Sequence, residues 1–157
     1  MEALLCEKLG DPVVPITSPA SPITLAKTHP IPSLTSPTSV RVRVHATSLN
    51  YANYLQILGK YQEKPPLPFI PGSDYSGVVE AVGEAVSRFK VGDRVCSVAG
   101  LGSFAEFIVD DEKDLQSCSR KVVEQGPHEI LLSREGRYAE LWINRPTNDG
   151  INTISVV

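Results

Sequence analysis

Gly100-Leu101-Gly102-Ser103-Phe104-Ala105 has the spacing of the dinucleotide fingerprint Gly-x-Gly-x-x-Gly/Ala, whose chemistry is the cradling of a pyrophosphate on backbone N–H groups. That chemistry requires the third position to open a helix whose N-terminus meets the phosphates. Here residues 104–109 read as a strand, so the glycines are predicted to form a turn between strands. His29, His45 and His128 are dispersed, and no Ser/His/Asp order suited to a hydrolytic nucleophile stands out. Asp110-Asp111-Glu112 and Asp114 form an acidic run, expected to be a solvated strand end or the approach to an interdomain hinge. Cys6, Cys96 and Cys118 are odd in number, widely spaced and lack Cys-x-x-Cys, which predicts reduced, partly buried thiols.

The elements that must position any such groups are short. Eleven of the thirteen prolines precede residue 72, and with Gly and Ser they punctuate apolar runs suited to strands rather than long helices. Ser39-Val40-Arg41-Val42-Arg43-Val44-His45-Ala46 alternates with period two, valines on one face and polar residues on the other, as a strand with one buried side does. Residues 50–58 change period: Tyr51, Tyr54, Leu55 and Leu58 recur at three and four, and Gly59 stands where a glycine ends a short helix. Further strands are predicted over residues 1–8, 23–27, 77–83, 92–98 and 104–109.

At 157 residues the chain is long enough for one domain that buries a sizeable core. Its net charge of −3, with Lys and Arg scattered, predicts neither nucleic-acid nor anionic-membrane binding. No apolar run approaches the ~20 residues of a membrane span, and the first residues lack the pattern of a signal peptide, so a cytoplasmic protein is expected.

One ordered set of residues is more specific. Pro71-Gly72-Ser73-Asp74-Tyr75-Ser76-Gly77-Val78-Val79-Glu80-Ala81-Val82-Gly83, followed by Val91-Gly92-Asp93-Arg94-Val95 and preceded by Asn50, resembles the hallmark of the medium-chain dehydrogenase/reductases. The resemblance spans residues 47–115 and implies a mainly β fold: a GroES-like, partly open β-barrel with a short helix, over residues 1–115. Zinc alcohol dehydrogenases of that family carry a Cys near the position of Asn50, a His-Glu pair at Ser73-Asp74, and a four-cysteine lobe after the barrel. Asn and Ser supply neither thiolate nor imidazole, so no zinc is expected. The chain is similar instead to the zinc-independent, quinone oxidoreductase-like branch.

That resemblance implies NADPH-dependent reduction of a quinone or an activated carbon–carbon double bond. It places Asn50 and Tyr61 on the cleft near nicotinamide and substrate, with Tyr51, Tyr54, Ser73 and Asp74 around them. Asn50 would donate an amide hydrogen bond and Tyr61 a hydroxyl or an aromatic wall. Asn53 stands where many relatives carry Asp, which puts a charge-dependent role there in doubt.

Residues 116–157 change character: a polar stretch, a hairpin predicted around Glu135-Gly136-Arg137, and no continuity with the preceding core. Glu135–Pro146 with Asn152-Thr153-Ile154 is faintly similar to the opening strands of enoyl-CoA hydratase-like proteins, over about 20 residues, a match that chance explains better. A Rossmann half needs βαβαβ, a glycine loop and an acidic residue beyond it, and this irregular extension holds none of them. The sequence therefore predicts a truncated quinone oxidoreductase-like chain, whose family uses NADPH but which neither binds it nor catalyses the family reaction alone. Two other readings stay open: a non-enzymatic interaction module using the cleft face, packing on a full-length relative, or a subunit completed in trans by a dinucleotide-binding partner.

Overall fold

In the computed structural model, which describes residues 1–98 and 101–118, the alternating valines become the middle of the fold. Strand β3 (Ser39–Thr47) buries Val40 and Val42 completely and leaves Arg43 and His45 in solvent. It pairs antiparallel with β4 (Tyr75–Val82) on one side and β6 (Phe107–Asp111) on the other. β5 (Arg94–Ser97) pairs with β4, and β7 (Gln116–Ser117) pairs with β5, giving the sheet order β6-β3-β4-β5-β7. A second, two-stranded sheet joins β1 (Ala3–Cys6) to β2 (Ile23–Ala26).

The two sheets are bridged by backbone, not closed into a continuous cylinder. Leu4 N–H donates to Phe104 O at 2.9 Å, Glu106 N–H to Glu2 O at 3.1 Å, and Val44 N–H to Glu106 O at 2.9 Å. Cys6 and Phe69 exchange both of their backbone hydrogen bonds. The result is the mainly β, partly open barrel with one short helix that the resemblance implies. Its larger core is Val40, Val42, Tyr75, Val79, Phe89, Val95, Ile108 and Leu115. A smaller one sets Ile57 of the helix α1 (Tyr51–Ile57) against Cys6 and Phe69. Gly59 follows that helix at φ +72°, as its position predicts.

Three details depart from the sequence reading. The strand predicted over residues 104–109 begins only at Phe107, because the N–H groups of Gly102, Ser103 and Phe104 turn to the carbonyls of Gly72 and Pro71. Among the described residues no helix opens at residues 102–105, so the later positions of the fingerprint spacing sit in a turn-and-bridge segment. Secondly, the sheet does not stop at Leu115: Gln116 pairs with Cys96 and Ser117 with Val95. The predicted hairpin and the rest of residues 119–157 lie outside the described residues.

The third lies in the acidic run, where Asp114 is exposed as expected but Asp110 is half-buried rather than solvated. Asp110 stands opposite Val40 in the β3–β6 register and so faces the core, where its Oδ2 accepts the Tyr75 hydroxyl at 2.5 Å. Asp111 accepts from the Thr38 hydroxyl at 2.7 Å and caps the turn at Lys113, and Glu112 accepts the N–H groups of Ser87 and Arg88. Burial pushes the Asp110 carboxyl above its ordinary 3.8, opposed by the Tyr75 hydrogen bond. A carboxyl raised on folding contributes stability below its unfolded pKa and loses it as pH rises through the folded value. Asp110→Asn keeps an acceptor for Tyr75 and has no charge to bury. Its melting temperature relative to the parent should therefore climb as pH rises from about 4 upward through the raised pKa. An offset that stays flat across that range would show that Asp110 does not carry this linkage.

Candidate functional site

The loops at one end of β3 and β4 meet around a single carboxylate. Asp74 Oδ2 accepts from Asn50 Nδ2 at 2.7 Å and from the Ser48 hydroxyl at 2.9 Å. Its backbone carbonyl accepts from the Thr47 hydroxyl at 2.8 Å and from Ser48 N–H at 3.4 Å. Both segments are held by the β3–β4 ladder, in which Thr47 pairs with Tyr75, so the loop positions follow from strand register.

Asn50 is also the residue that starts α1. Its N–H donates to Asn53 Oδ1 at 3.0 Å, and Asn53, with no exposed surface, donates through Nδ2 toward Gln56 Oε1 and Ser73 Oγ, each at 3.4 Å. An amide suits this position because it accepts on one side and donates on the other, which an ionised Asp does not do. Tyr51 and Tyr54 stack with ring centroids 6.0 Å apart and planes 18° from parallel, with Tyr51 largely exposed. Tyr61 is held by its N–H to Leu55 O at 3.1 Å at the far end of the helix. Among the described residues, no hydrogen bond joins Tyr61 to Asn50 or Asp74.

The structure thus brings together Asn50, Ser73 and Asp74, through Asn53, and places Tyr51 and Tyr54 on the adjoining helix. Beside them an open depression of about 410 Å³ is lined by Gln56, Glu63, Lys64, Pro65 and Leu101. Among the described residues, the constellation's own hydrogen-bond set holds one carboxylate, amides and hydroxyls, without a cation. Those donors and acceptors suit a carboxamide or carbonyl better than a phosphate.

Residues 36–120 match the alcohol dehydrogenase GroES-like domain. The chain belongs to that family. Quinone oxidoreductase-like protein 2 of Rattus norvegicus is 47% identical over 94 residues, which are 60% of this chain and 26% of that protein. The chain therefore spans about a quarter of the length of that relative. Among solved structures, a Pseudomonas syringae quinone oxidoreductase superposes with a TM-score of 0.65 at 34% identity, over 77% of this chain and 34% of the other. A mycobacterial protein complexed with NADPH superposes with a TM-score of 0.66 at 26% identity, over 78% and 35% of the two chains. The fold is thus that of the GroES-like domain of medium-chain dehydrogenase/reductases, in their quinone oxidoreductase group.

Sequence reasoning alone missed several participants in this GroES-like domain. Ser48 and Thr47 flank Asn50, and their hydroxyl character is a usable signal. Ser103 was less accessible: its Oγ lies 2.7 Å from the Thr47 hydroxyl across 56 positions of sequence. Gln56 lies three residues after Asn53 on the same buried face of α1, a helical spacing that is a usable signal. Among the described residues no helix is long and apolar enough to cross a membrane.

Proposed function

We propose that residues 1–118 are the cytoplasmic substrate-side wall of a quinone oxidoreductase-like reductase, acting where NADPH reduces a quinone or an activated alkene. The observation that carries this reading is the Asn50–Asp74–Ser48 constellation at the start of α1, set beside an aromatic pair, in a chain related to proteins named quinone oxidoreductases. When bound, the nicotinamide supplies the hydride. Asn50 and Asp74 offer a carbonyl and a carboxylate as acceptors for its carboxamide N–H. Tyr51, Tyr54 and Tyr61 would line the substrate side, and Ser73 would fix Asn53 behind them. Asp74 orients Asn50, since one Asn50 N–H is already committed to it.

Among the described residues the strands that flank α1, β3 and β4, are antiparallel, so there is no parallel strand–helix–strand unit and no helix opened by a glycine loop, the parts that hold a pyrophosphate. On this reading the 157-residue chain is a cofactor-blind wall, inactive in hydride transfer by itself. An NADPH titration of the purified chain, followed by nicotinamide fluorescence to about millimolar concentration, should show no saturable signal. A micromolar dissociation constant would overturn it. A second reading, completion in trans by a dinucleotide-binding subunit or a full-length relative, is favoured by a groove of about 500 Å³ near the site. That groove is lined by Leu4, Leu25, Val44, Leu49 and Phe104, with Leu49 81% exposed. Quinone reduction appearing only on mixing with such a partner would support it.

A further inference from the structure

The β5–β7 register carries an unassigned pair of thiols. Val95 opposes Ser117 and Cys96 opposes Gln116, and Cys118 N–H donates to Arg94 O at 2.9 Å, extending the same antiparallel alignment by one step. Side chains two apart along a strand share a face, so Cys96 and Cys118 stand diagonally on one side of this ladder. Both thiols are free and half-buried, and burial, with the neighbouring Cys96 thiol, pushes the Cys118 thiol up. Twenty-one residues separate them along the chain, which is why spacing alone reads them as independent.

We propose that Cys96 and Cys118 form an oxidisable dithiol that closes to an intrachain disulfide when a peroxide is the oxidant. Cys96 sulfur attacks a peroxide oxygen, the O–O bond breaks, and Cys96 becomes a sulfenic acid as one water leaves. Cys118 sulfur then attacks Cys96 sulfur, the S–S bond forms, the S–O bond breaks, and the hydroxyl departs with the Cys118 proton as a second water. Two thiols are oxidised and one hydrogen peroxide is reduced to two waters. Diagonal strand neighbours sit somewhat farther apart than a relaxed disulfide allows, so one backbone segment must shift. β7 is that segment: two residues long, paired only to β5 among the described residues, and outside the β3–β4 ladder. Cys6 cannot take part, since it is fully buried in the other cluster, with its thiol on Lys8 O.

The test is peroxide treatment of the full chain at neutral pH, followed by maleimide labelling under denaturing conditions, non-reducing peptide mapping and intact mass. The expected result is loss of labelling at two thiols of the three, a mass lower by two hydrogen atoms, and a cross-linked peptide pair carrying Cys96 and Cys118. Dithiothreitol should restore all three labels. Cys96→Ser should abolish the cross-link, while Cys6→Ser should leave it intact. Oxidation of either sulfur to the sulfinic state without a cross-link, a bond to Cys6, or a disulfide between two chains would each overturn the proposal. Unchanged labelling at all three thiols would do so as well.

Discussion

Gly77→Ala is expected to remove about 3 kcal/mol or more from the stability of the domain, above the common range for overpacking. An alanine Cβ at Gly77 would be driven well under 3.0 Å from the backbone carbonyl oxygen of Arg43, with Val42 Cγ1 at 2.7 Å. Both are in β3, and Val44 of that strand pairs with Gly77 itself, so relief requires opening the central ladder. Side chains can swing away from an intruding methyl, but a carbonyl in a five-stranded sheet cannot. Since small domains hold only ~5–15 kcal/mol in all, the loss should be visible as a large fall in the urea midpoint. Gly92→Ala is the matched control. Gly92 also needs a special conformation, φ +93°, yet an added Cβ there meets nothing within 4 Å. It should cost roughly 1–3 kcal/mol from backbone strain alone. If the two variants shift the midpoint equally, close approach at Gly77 is not what fixes that glycine.

The second large effect is expected at Leu115. It is fully buried in the main cluster with Val40, Val42 and Val79, beyond the last long strand. Leu115→Ala should cost about 2–5 kcal/mol, because removing the side chain leaves a cavity that the two flanking strands cannot both collapse into. Arg88 holds the segment from outside, donating to Glu112 O at 2.8 Å and to Leu115 O at 3.2 Å. Arg88→Ala should therefore cost much less, on the order of 1 kcal/mol for solvent-facing hydrogen bonds. The measurement is again urea unfolding of the full chain. A Leu115→Ala cost below about 1 kcal/mol would mean that the folded unit ends before this residue.

These two positions illustrate how unevenly the fold can be read from sequence. β3 is legible because one of its faces is buried and the other solvated, so the burial pattern is written directly into Val-Arg alternation. The helix is legible because its apolar spacing and Gly59 agree. β7 is not: Gln116 and Ser117 carry no pattern, and their pairing with β5 is a contact across about twenty positions of sequence. Asp110 misleads for a related reason. Local composition marks it as solvated, whereas register sets it opposite Val40 and gives it a phenol partner from β4. At the candidate site, Asn50 and Asp74 stand out through their motif, but the bonds joining them to Ser48, Asn53 and Thr47, and Thr47 in turn to Ser103, depend on how three loops converge.

The two-stranded sheet has a consequence for solubility. β2 offers one side to β1 and, among the described residues, has no strand on its other side. An open edge carrying the half-exposed Leu25 is the kind of template on which copies of a chain stack into fibrils. Here the invitation is brief. β2 is four residues long, Pro22 stands directly before it, and Lys27 and Pro30 follow close behind. Proline brings no N–H to an incoming strand and a lysine would be stranded between stacked copies, so the proline-dense first third of the chain acts as a guard against cross-β growth.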